Sequence, residues 1–516
     1  VTSAPARSSK ATPPRAGLRT LLSSRRLRAV SLLSLSSGAP LGLVLVAVPA
    51  WMASAGVDIR TIGVLTLAQA PYAFKFLWSP LLDRFRPPLL HGKRGWILVW
   101  QLALALLVGA LGLQAGGPEV AVVGVVTLLA AFASASQDIA IDGYAVEALE
   151  PAEQGAAVGA RTALYRAAMY VAGNIAISAA GHVGWGPTLG LLAASFVALA
   201  PVTLRAPEPE APPAPPRTLR AAVWEPFTGF LRQPRALEIA AFLVLYKVAD
   251  NMATALIRPF LVQKGYSADD VGIGSGTIGL FGTLFGTFVG GLMTTAMGTG
   301  RALWVFGVVQ AVAHVGYAWI AAVPVHRGIM YFAMGLESVV LGLGTAAFGV
   351  LLLRLTDRRF SATQYALLSS LFALGRTVAG PAAGFMAAAL GWRDFFLLTI
   401  PCAVPGLVLL SRFVPWHARE LPEIAPDSPG SAGPPVSVAG LAGRAFAGFA
   451  GTALAGEAAS AGLAAATAAV QGGDARAAAI DAVLHPSAIG AATLLGFALI
   501  AGMGAAAYAA ARRGVR

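Results

Sequence analysis

Asp138 and Asp142 stand four residues apart in the run Ser134-Ala135-Ser136-Gln137-Asp138-Ile139-Ala140-Ile141-Asp142, inside a segment otherwise apolar from about 120 to 146. That spacing puts both carboxylates on one face of a helix. Burial and a neighbouring like charge each favour the protonated acid, so such a pair can load and unload protons. The plainer reading is a pair kept ionised by Lys75 or Arg166. Six further charges fall in apolar stretches: Lys75, Arg166, Lys247, Asp250, Glu337 and Arg376. An ionisable group at the centre of a bilayer costs about 2.5–3.5 kcal/mol by insertion scales, so such groups persist where they are paired or in use. Four of the eight are basic and four acidic, a balance that points to pairing around a central cavity. Lys247 and Asp250, three apart, read as an internal ion pair or a coupling site. Glu337 reads as the partner of Arg376 or as a further coupling acid. The guanidinium forks of Arg166 and Arg376 suit carboxylate recognition. Asp138, Asp142, Glu337 and Asp250 are thus the expected proton carriers. No catalytic triad and no metal-ligand spacing is visible. Gly272-Ile273-Gly274-Ser275-Gly276 has no preceding strand and no Walker lysine, which excludes a nucleotide loop.

The elements that must hold these charges are membrane helices. Hydrophobic residues make up 57% of the chain and charged ones 12%, about half the share of a soluble protein. Mean hydropathy is +0.70, and apolar runs near 20 residues recur throughout, the signature of a polytopic all-α membrane protein. A single cysteine, Cys402, excludes an intrachain disulfide. The net charge of +13 is not a nucleic-acid signal, because the basic residues are dispersed at span ends. About fourteen spans are expected. A basic, disordered tail (1–28) precedes a six-helix half (29–204) with spans near 29–53, 61–82, 96–115, 120–146, 156–180 and 186–204. The tail and first apolar run resemble a signal peptide, but the run is too long, so it reads as an uncleaved first span. A Pro- and charge-rich linker (205–236) leads to a second six-helix half (237–414), with spans near 237–262, 271–295, 302–323, 329–354, 362–389 and 394–414. A second linker (415–436) precedes two additional spans near 438–470 and 487–511, within 437–511. With the N-terminus inside, the inner loops and tails hold 27 Lys and Arg, Arg161 among them, and the outer loops 6, so both termini are expected in the cytoplasm.

The two halves carry matching punctuation. Gly56 and Gly63 bracket one turn, and Gly265 and Gly272 bracket another 209 residues on. Val171-Ala172-Gly173 before Gly184-Trp185 returns as Val378-Ala379-Gly380 before Gly391-Trp392, 207 residues on. Two six-span halves related by an axis along the membrane normal are the organisation of major facilitator transporters, with a site at the midplane between them.

Within that class the chain resembles the AmpG family of muropeptide permeases. The resemblance rests on Phe74-Lys75-Phe76-Leu77-Trp78-Ser79-Pro80, Lys93-Arg94-Gly95-Trp96, the run at 134–142, Leu245-Tyr246-Lys247-Val248-Ala249-Asp250 and Phe360-Ser361-Ala362-Thr363-Gln364-Tyr365. It covers about 36–410, and an extra pair of C-terminal spans is typical of that family. The resemblance implies a bacterial inner-membrane importer rather than an enzyme. It would take up N-acetylglucosaminyl-1,6-anhydro-N-acetylmuramic acid and its peptide-bearing forms with protons, for peptidoglycan recycling, and in some bacteria it would bear on β-lactamase induction. It needs no cofactor beyond the proton gradient, and a monomer in the bilayer is expected. Because such substrates are acidic sugars, Lys75, Arg166, Lys247 and Arg376 become expected anion contacts. Trp78, Tyr165 and Tyr365 become expected sugar-stacking residues, and Gln137, Asn251 and Gln364 amide contacts; the alternative for each polar residue is helix–helix adhesion. Asp83, Arg84, Lys93 and Arg94 are the expected gate on the cytoplasmic side. A related facilitator for another anionic cargo such as acetyl-CoA, and a membrane enzyme acting on lipid-linked cell-wall precursors, are the competing readings.

Overall fold

The computed structural model of the protein describes residues 24–58, 61, 65–88, 90, 92–209, 214–231, 235–416, 418–420, 440, 442–444, 446–447, 450, 461 and 474–484. Every regular element among them is helical, as it must be where the solvent offers no partner to a free backbone group. The first, α1 (Arg25–Ser54), begins before the apolar run because Ser24 caps it, its hydroxyl accepting from the Leu27 N–H at 3.3 Å. The expected continuous span 61–82 is instead a broken segment: Thr66–Gln69 and Lys75–Leu77 are 3-10 turns, Ala70–Phe74 and Ser79–Arg84 short α-helices. Pro71 and Pro80 each sit in the first turn of a piece, where the missing N–H costs nothing and a new helix starts. This break places Lys75 in a tight turn rather than on a regular helix.

The next helices are α2 (Lys93–Leu113), α3 (Val120–Ala148), α4 (154–183, with a π-turn at Val171–Ile175) and α5 (Trp185–Arg205). The region expected as a plain linker contains a helix, α6 (Leu219–Leu231), whose Pro226 carbonyl is held by α11 as described below. Then come α7 (Ala236–Lys264), α8 (Asp269–Met297), α9 (Thr299–Ala322), α10 (Arg327–Leu355), α11 (Ser361–Leu390) and α12 (Trp392–Arg412). Helix α7 is interrupted at Tyr246-Lys247 and α9 at His314. Among the described residues nine helices, α1–α3, α5, α7–α10 and α12, are long and apolar enough to cross a membrane. The last described helix, α13 (Ala475–Leu484), falls in the loop expected between the two additional spans; the second of these lies outside the described residues, and so does all of the first but 440, 442–444, 446–447, 450 and 461.

Among the described residues six glycines adopt positive φ, and they pair up along the chain: Gly56 with Gly265, Gly92 with Gly298, and Gly184 with Gly391, at separations of 209, 206 and 207 residues. Each pair marks the same turn in two copies of one pattern, at a conformation an L side chain resists.

Packing divides along the helix axes. At the end that carries Asp83, one core joins Leu27, Val30, Ile97, Tyr144 and Ala157 to Val350, Leu353, Ala362 and Ala366. At the opposite end the apolar side chains form two separate cores, one around Trp51, Leu111 and Phe196, the other around Phe260, Tyr317 and Phe396. Helices α4 and α8 touch backbone to backbone: a Cβ on Gly155 would lie 2.7 Å from the Gly291 carbonyl, and one on Gly159 would lie 2.8 Å from that of Thr287. Small residues permit that approach, the usual device for helix contact in lipid.

Candidate functional site

The face of α3 expected to carry paired carboxylates does so. Lys75 reaches it from the broken segment, its Nζ 3.6 Å from an oxygen of Asp138 and 3.6 Å from one of Asp142. Arg161, on α4, donates to Asp142, and the Ser37 hydroxyl on α1 donates to Asp138. The four charged side chains are 9–15% exposed. At 3.6 Å and an effective dielectric of 20, each Lys75 contact carries a Coulomb attraction of about 4–5 kcal/mol, offset by the desolvation of both ions. Around this centre, Trp78 donates from Nε1 to Ser136 Oγ at 3.0 Å and rests on the Phe132 ring, centroids 4.8 Å apart. Gln137 donates to Ser36 Oγ at 2.9 Å. Tyr365, on α11, interacts electrostatically with Asp142, Arg161 and Asp138, and Tyr165 with both aspartates. Residues from α1, the broken segment, α3, α4 and α11 thus converge on one buried charge group.

The sequence reading offered Lys75 or Arg166 as the acids' partner and counted Arg161 as a loop cation; Lys75 meets both acids, and Arg161 joins it on Asp142. Arg166 lies five residues on, about 140° round the helix, and has an interaction of its own. The signal for Arg161 was present, since it falls inside the expected span 156–180.

A second buried group occupies the later helices. Lys247, in the break of α7, donates to Asp250 at 2.9 Å and to Gln310 Oε1 on α9. A Cβ on Gly344 of α10 would come within 2.9 Å of Lys247 Nζ, so the glycine makes room for the ammonium. His314, fully buried at the break of α9, places Nε2 3.5 Å from Asp250 Oδ1, contact range without hydrogen-bond geometry. Its Nδ1 lies 3.0 Å from Thr399 Oγ1, whose hydroxyl also donates to the Phe396 carbonyl at 2.7 Å. On α10, Glu337 accepts from the Tyr317 hydroxyl at 3.3 Å, while its other oxygen, Oε1, is buried without a hydrogen bond. The expected Glu337–Arg376 pair lies outside the described side chains, because that of Arg376 is among those not described. Gln310, His314 and Tyr317 were missed from sequence; a four-residue step puts Gln310 and His314 on one face of an apolar helix, which is the sign they offered. Asn251, next to Asp250, has its Nδ2 buried and without a partner among the described atoms.

The Asp83 end is closed by polar ties across the molecule. Asp83 accepts from the Thr363 N–H at 2.8 Å, the Thr363 hydroxyl at 2.6 Å and the Ala362 N–H at 3.2 Å, and it pairs with Lys93. The first N–H groups of α11 have no partner within their helix, so a carboxylate from a segment 280 residues earlier both caps them and meets the positive end of the helix dipole. Ser361 donates to Glu147 at 2.6 Å, Arg358 to the Leu149 carbonyl at 3.1 Å, and Arg354 to Gln154 at 3.2 Å. Of the other expected gate residues, Arg94 holds the exit of α5 through the Ala206 carbonyl at 2.6 Å and through Glu208. Arg84 lies over the Phe85 ring, 5.5 Å from its centroid, apart from the latch. Gln364 belongs to this end and not beside Lys75: it accepts from the Asp357 N–H at 2.7 Å and donates to the Pro226 carbonyl at 3.0 Å. Among the described residues no group of three or more His, Cys, Asp or Glu is placed to hold a metal ion.

A helical bundle with charges buried at mid-depth and one end latched is the build of a secondary transporter, and the chain belongs to the Major Facilitator Superfamily, whose model matches residues 30–348. Within it, the chain is similar to the anhydromuropeptide permease of Escherichia coli (strain K12), 38% identical over 381 residues, which is 73% of this chain and 78% of that protein. It is also similar to the putative transporter AmpG 4 of Rickettsia conorii, 29% identical over 397 residues, 75% of this chain and 95% of that one. Among solved structures, the E. coli fucose:proton symporter FucP matches with a TM-score of 0.58 at 12% identity, over 75% of this chain and 98% of that one. The human organic anion transporter MFSD10 matches with a TM-score of 0.56 at 15% identity, over 75% and 99%. These two establish the fold. The chain is accordingly a multi-pass membrane protein of a transporter family, not an enzyme, which disposes of the lipid-precursor reading.

Proposed function

We propose that the protein is a proton-coupled symporter that imports anhydromuropeptides, GlcNAc-1,6-anhydroMurNAc and its peptides, across the bacterial inner membrane for peptidoglycan recycling. The observation that carries this reading is the Lys75–Asp138–Asp142–Arg161 group, set between helices from both parts of a chain 38% identical to a permease of that name. Muramyl and peptide carboxylates are anions that can compete with Asp138 and Asp142 for Lys75 and Arg161, so substrate entry exchanges one set of ion pairs for another instead of stranding a charge. Trp78, Tyr165 and Tyr365 offer rings to the sugars; Gln137 and Asn251 offer amides; Arg166, Lys247 and Arg376 are further anion contacts. Asp138, Asp142, Asp250 and Glu337 are the candidate acids for coupling to the gradient. With both termini in the cytoplasm, as the basic residues favour, the latched end is the cytoplasmic one and the described state faces out. The two additional C-terminal spans expected from the sequence are dispensable to a self-contained twelve-helix core, and the working unit is a monomer. A competition assay in inverted or right-side-out vesicles tests the substrate. Under an imposed proton gradient, GlcNAc-anhydroMurNAc should accumulate and unlabelled muropeptide should block it. Uptake blocked by acetyl-CoA and untouched by muropeptide would transfer the assignment to the other anionic cargo.

A further inference from the structure

The two buried charge groups differ in how they reach neutrality. In the first, two carboxylates face two cationic side chains, Lys75 and Arg161. By formal charge that group is balanced, two carboxylates against two cations. In the second, Lys247 is matched by Asp250. Glu337 then interacts electrostatically with two cationic side chains among those described, Lys247, which Asp250 already engages, and His314. Glu337 is 3% exposed, and its Oε1 makes no hydrogen bond. His314 is fully buried and its Nε2 makes none either. Thr399 has one hydroxyl proton and directs it to the Phe396 carbonyl, so its oxygen is free to accept from a protonated Nδ1 of His314. Among the described side chains the second group is therefore neutral only when one proton is added at His314 or Glu337, and an uncompensated buried charge is costly.

We propose that the transported proton is carried by the Glu337–His314 pair and that Asp138 and Asp142 stay ionised as counter-ions to Lys75 and Arg161. The groups facing this pair are Lys247 and Asp250 from α7, Gln310 and Tyr317 from α9, and Thr399 from α12; Tyr246 lies against Lys247, 5.9 Å from its ring centroid. Arg376 belongs to α11, which packs on α7, and enters the test as a separate arm. The proton binds from the outer water when the pair is empty and leaves to the inner water after the bundle switches. No other reactant is required. Lys247 and Asp250 supply a fixed dipole beside the pair, and Gly344 keeps the space that lets Lys247 sit there.

This rests on the reading that substrate and proton move together, and the experiment separates the two. Full-length protein in liposomes loaded with a pH-sensitive dye is given GlcNAc-anhydroMurNAc, and proton entry is recorded together with exchange of labelled against unlabelled substrate. For Glu337→Gln, substrate-driven proton entry should fall at least tenfold while exchange stays within about twofold. For Asp138→Asn, both should fall together. Should Glu337→Gln prove poorly folded, Tyr317→Phe removes only the hydroxyl that stabilises the carboxylate, and the pH midpoint of uptake should move up by about one unit. A Glu337→Gln protein that moves protons like wild type would overturn the assignment, as would an unshifted midpoint in Tyr317→Phe. Proton entry lost with exchange retained in Asp138→Asn, or in Arg376→Gln, would also overturn it. Wild type that takes up substrate with no proton entry at all would overturn the symport reading itself, and this assignment with it.

Discussion

Lys75 contacts two carboxylates and Arg161 one, so removing any one of the four charges leaves another without its counter-ion in a setting that offers little water. Breaking a buried pair from one side costs about 3–5 kcal/mol, whereas removing both partners costs far less. Lys75→Gln should therefore lower the melting temperature in detergent markedly, and Lys75→Gln combined with Asp138→Asn should recover a substantial part of that loss. A double variant whose loss is the sum of the two singles would show that the charges do not act as one group. The same residue-scale view explains which site residues are legible in the sequence. Lys75, Asp138, Asp142, Lys247 and Asp250 stand out because a charge in an apolar run has no ordinary reason to be there. Gln310 and His314 carry no fixed charge, and what makes them part of a site is Lys247 and Asp250 arriving from another helix. Arg161 is near enough to a span's edge to pass for a topological charge, and only the approach of α4 to α3 reveals its partner.

At the scale of elements, the Asp83 latch is the contact that distinguishes one end of the bundle from the other. It ties the broken segment to the N-terminus of α11 through three hydrogen bonds to an ionised carboxylate. A charge-assisted hydrogen bond contributes about 1.5–3 kcal/mol, so even one lost bond shifts the ratio of latched to open molecules roughly tenfold or more. Asp83→Asn keeps the shape and removes the charge that both Lys93 and the helix dipole attract. Spin labels placed by Ala152→Cys and Arg301→Cys in a Cys402→Ser background should show a dominant short distance with Asp83 present and a growing long-distance population in Asp83→Asn. An unchanged distance distribution would mean that the latch does not hold this end shut. Helix positions follow the apolar runs closely, because a run near 20 residues in lipid has few alternatives to a helix. The interruptions are less legible. Pro71 and Pro80 announce the breaks in 66–84, but nothing local marks those at Tyr246-Lys247 and His314, where the chain turns to bring polar side chains to a shared interior. The helix α6 hides in a Pro-rich stretch, since Pro226 at mid-helix argues against the structure that tertiary contact with Gln364 supports.

For the whole molecule, the paired glycines connect sequence to architecture. Two of the three pairs are readable from flanking residues; Gly92 and Gly298 share almost nothing but the glycine, and only their backbone angles expose the match. Among the described residues, the earlier and later helices meet at glycine-lined α4 and α8 and share a common core at the Asp83 end, which fits the proposed rocking of two bodies about buried charges. In the proposed function this rocking is driven by protons and carries an acidic sugar. Accumulation of radiolabelled GlcNAc-1,6-anhydroMurNAc in proteoliposomes, as a function of an imposed pH gradient, addresses it most directly. The internal concentration should exceed the external one, rise with the size of the inwardly directed proton gradient, and fall to equality when a protonophore is added. Uptake that only equilibrates whatever the gradient, or no uptake of this substrate by folded protein, would contradict the account.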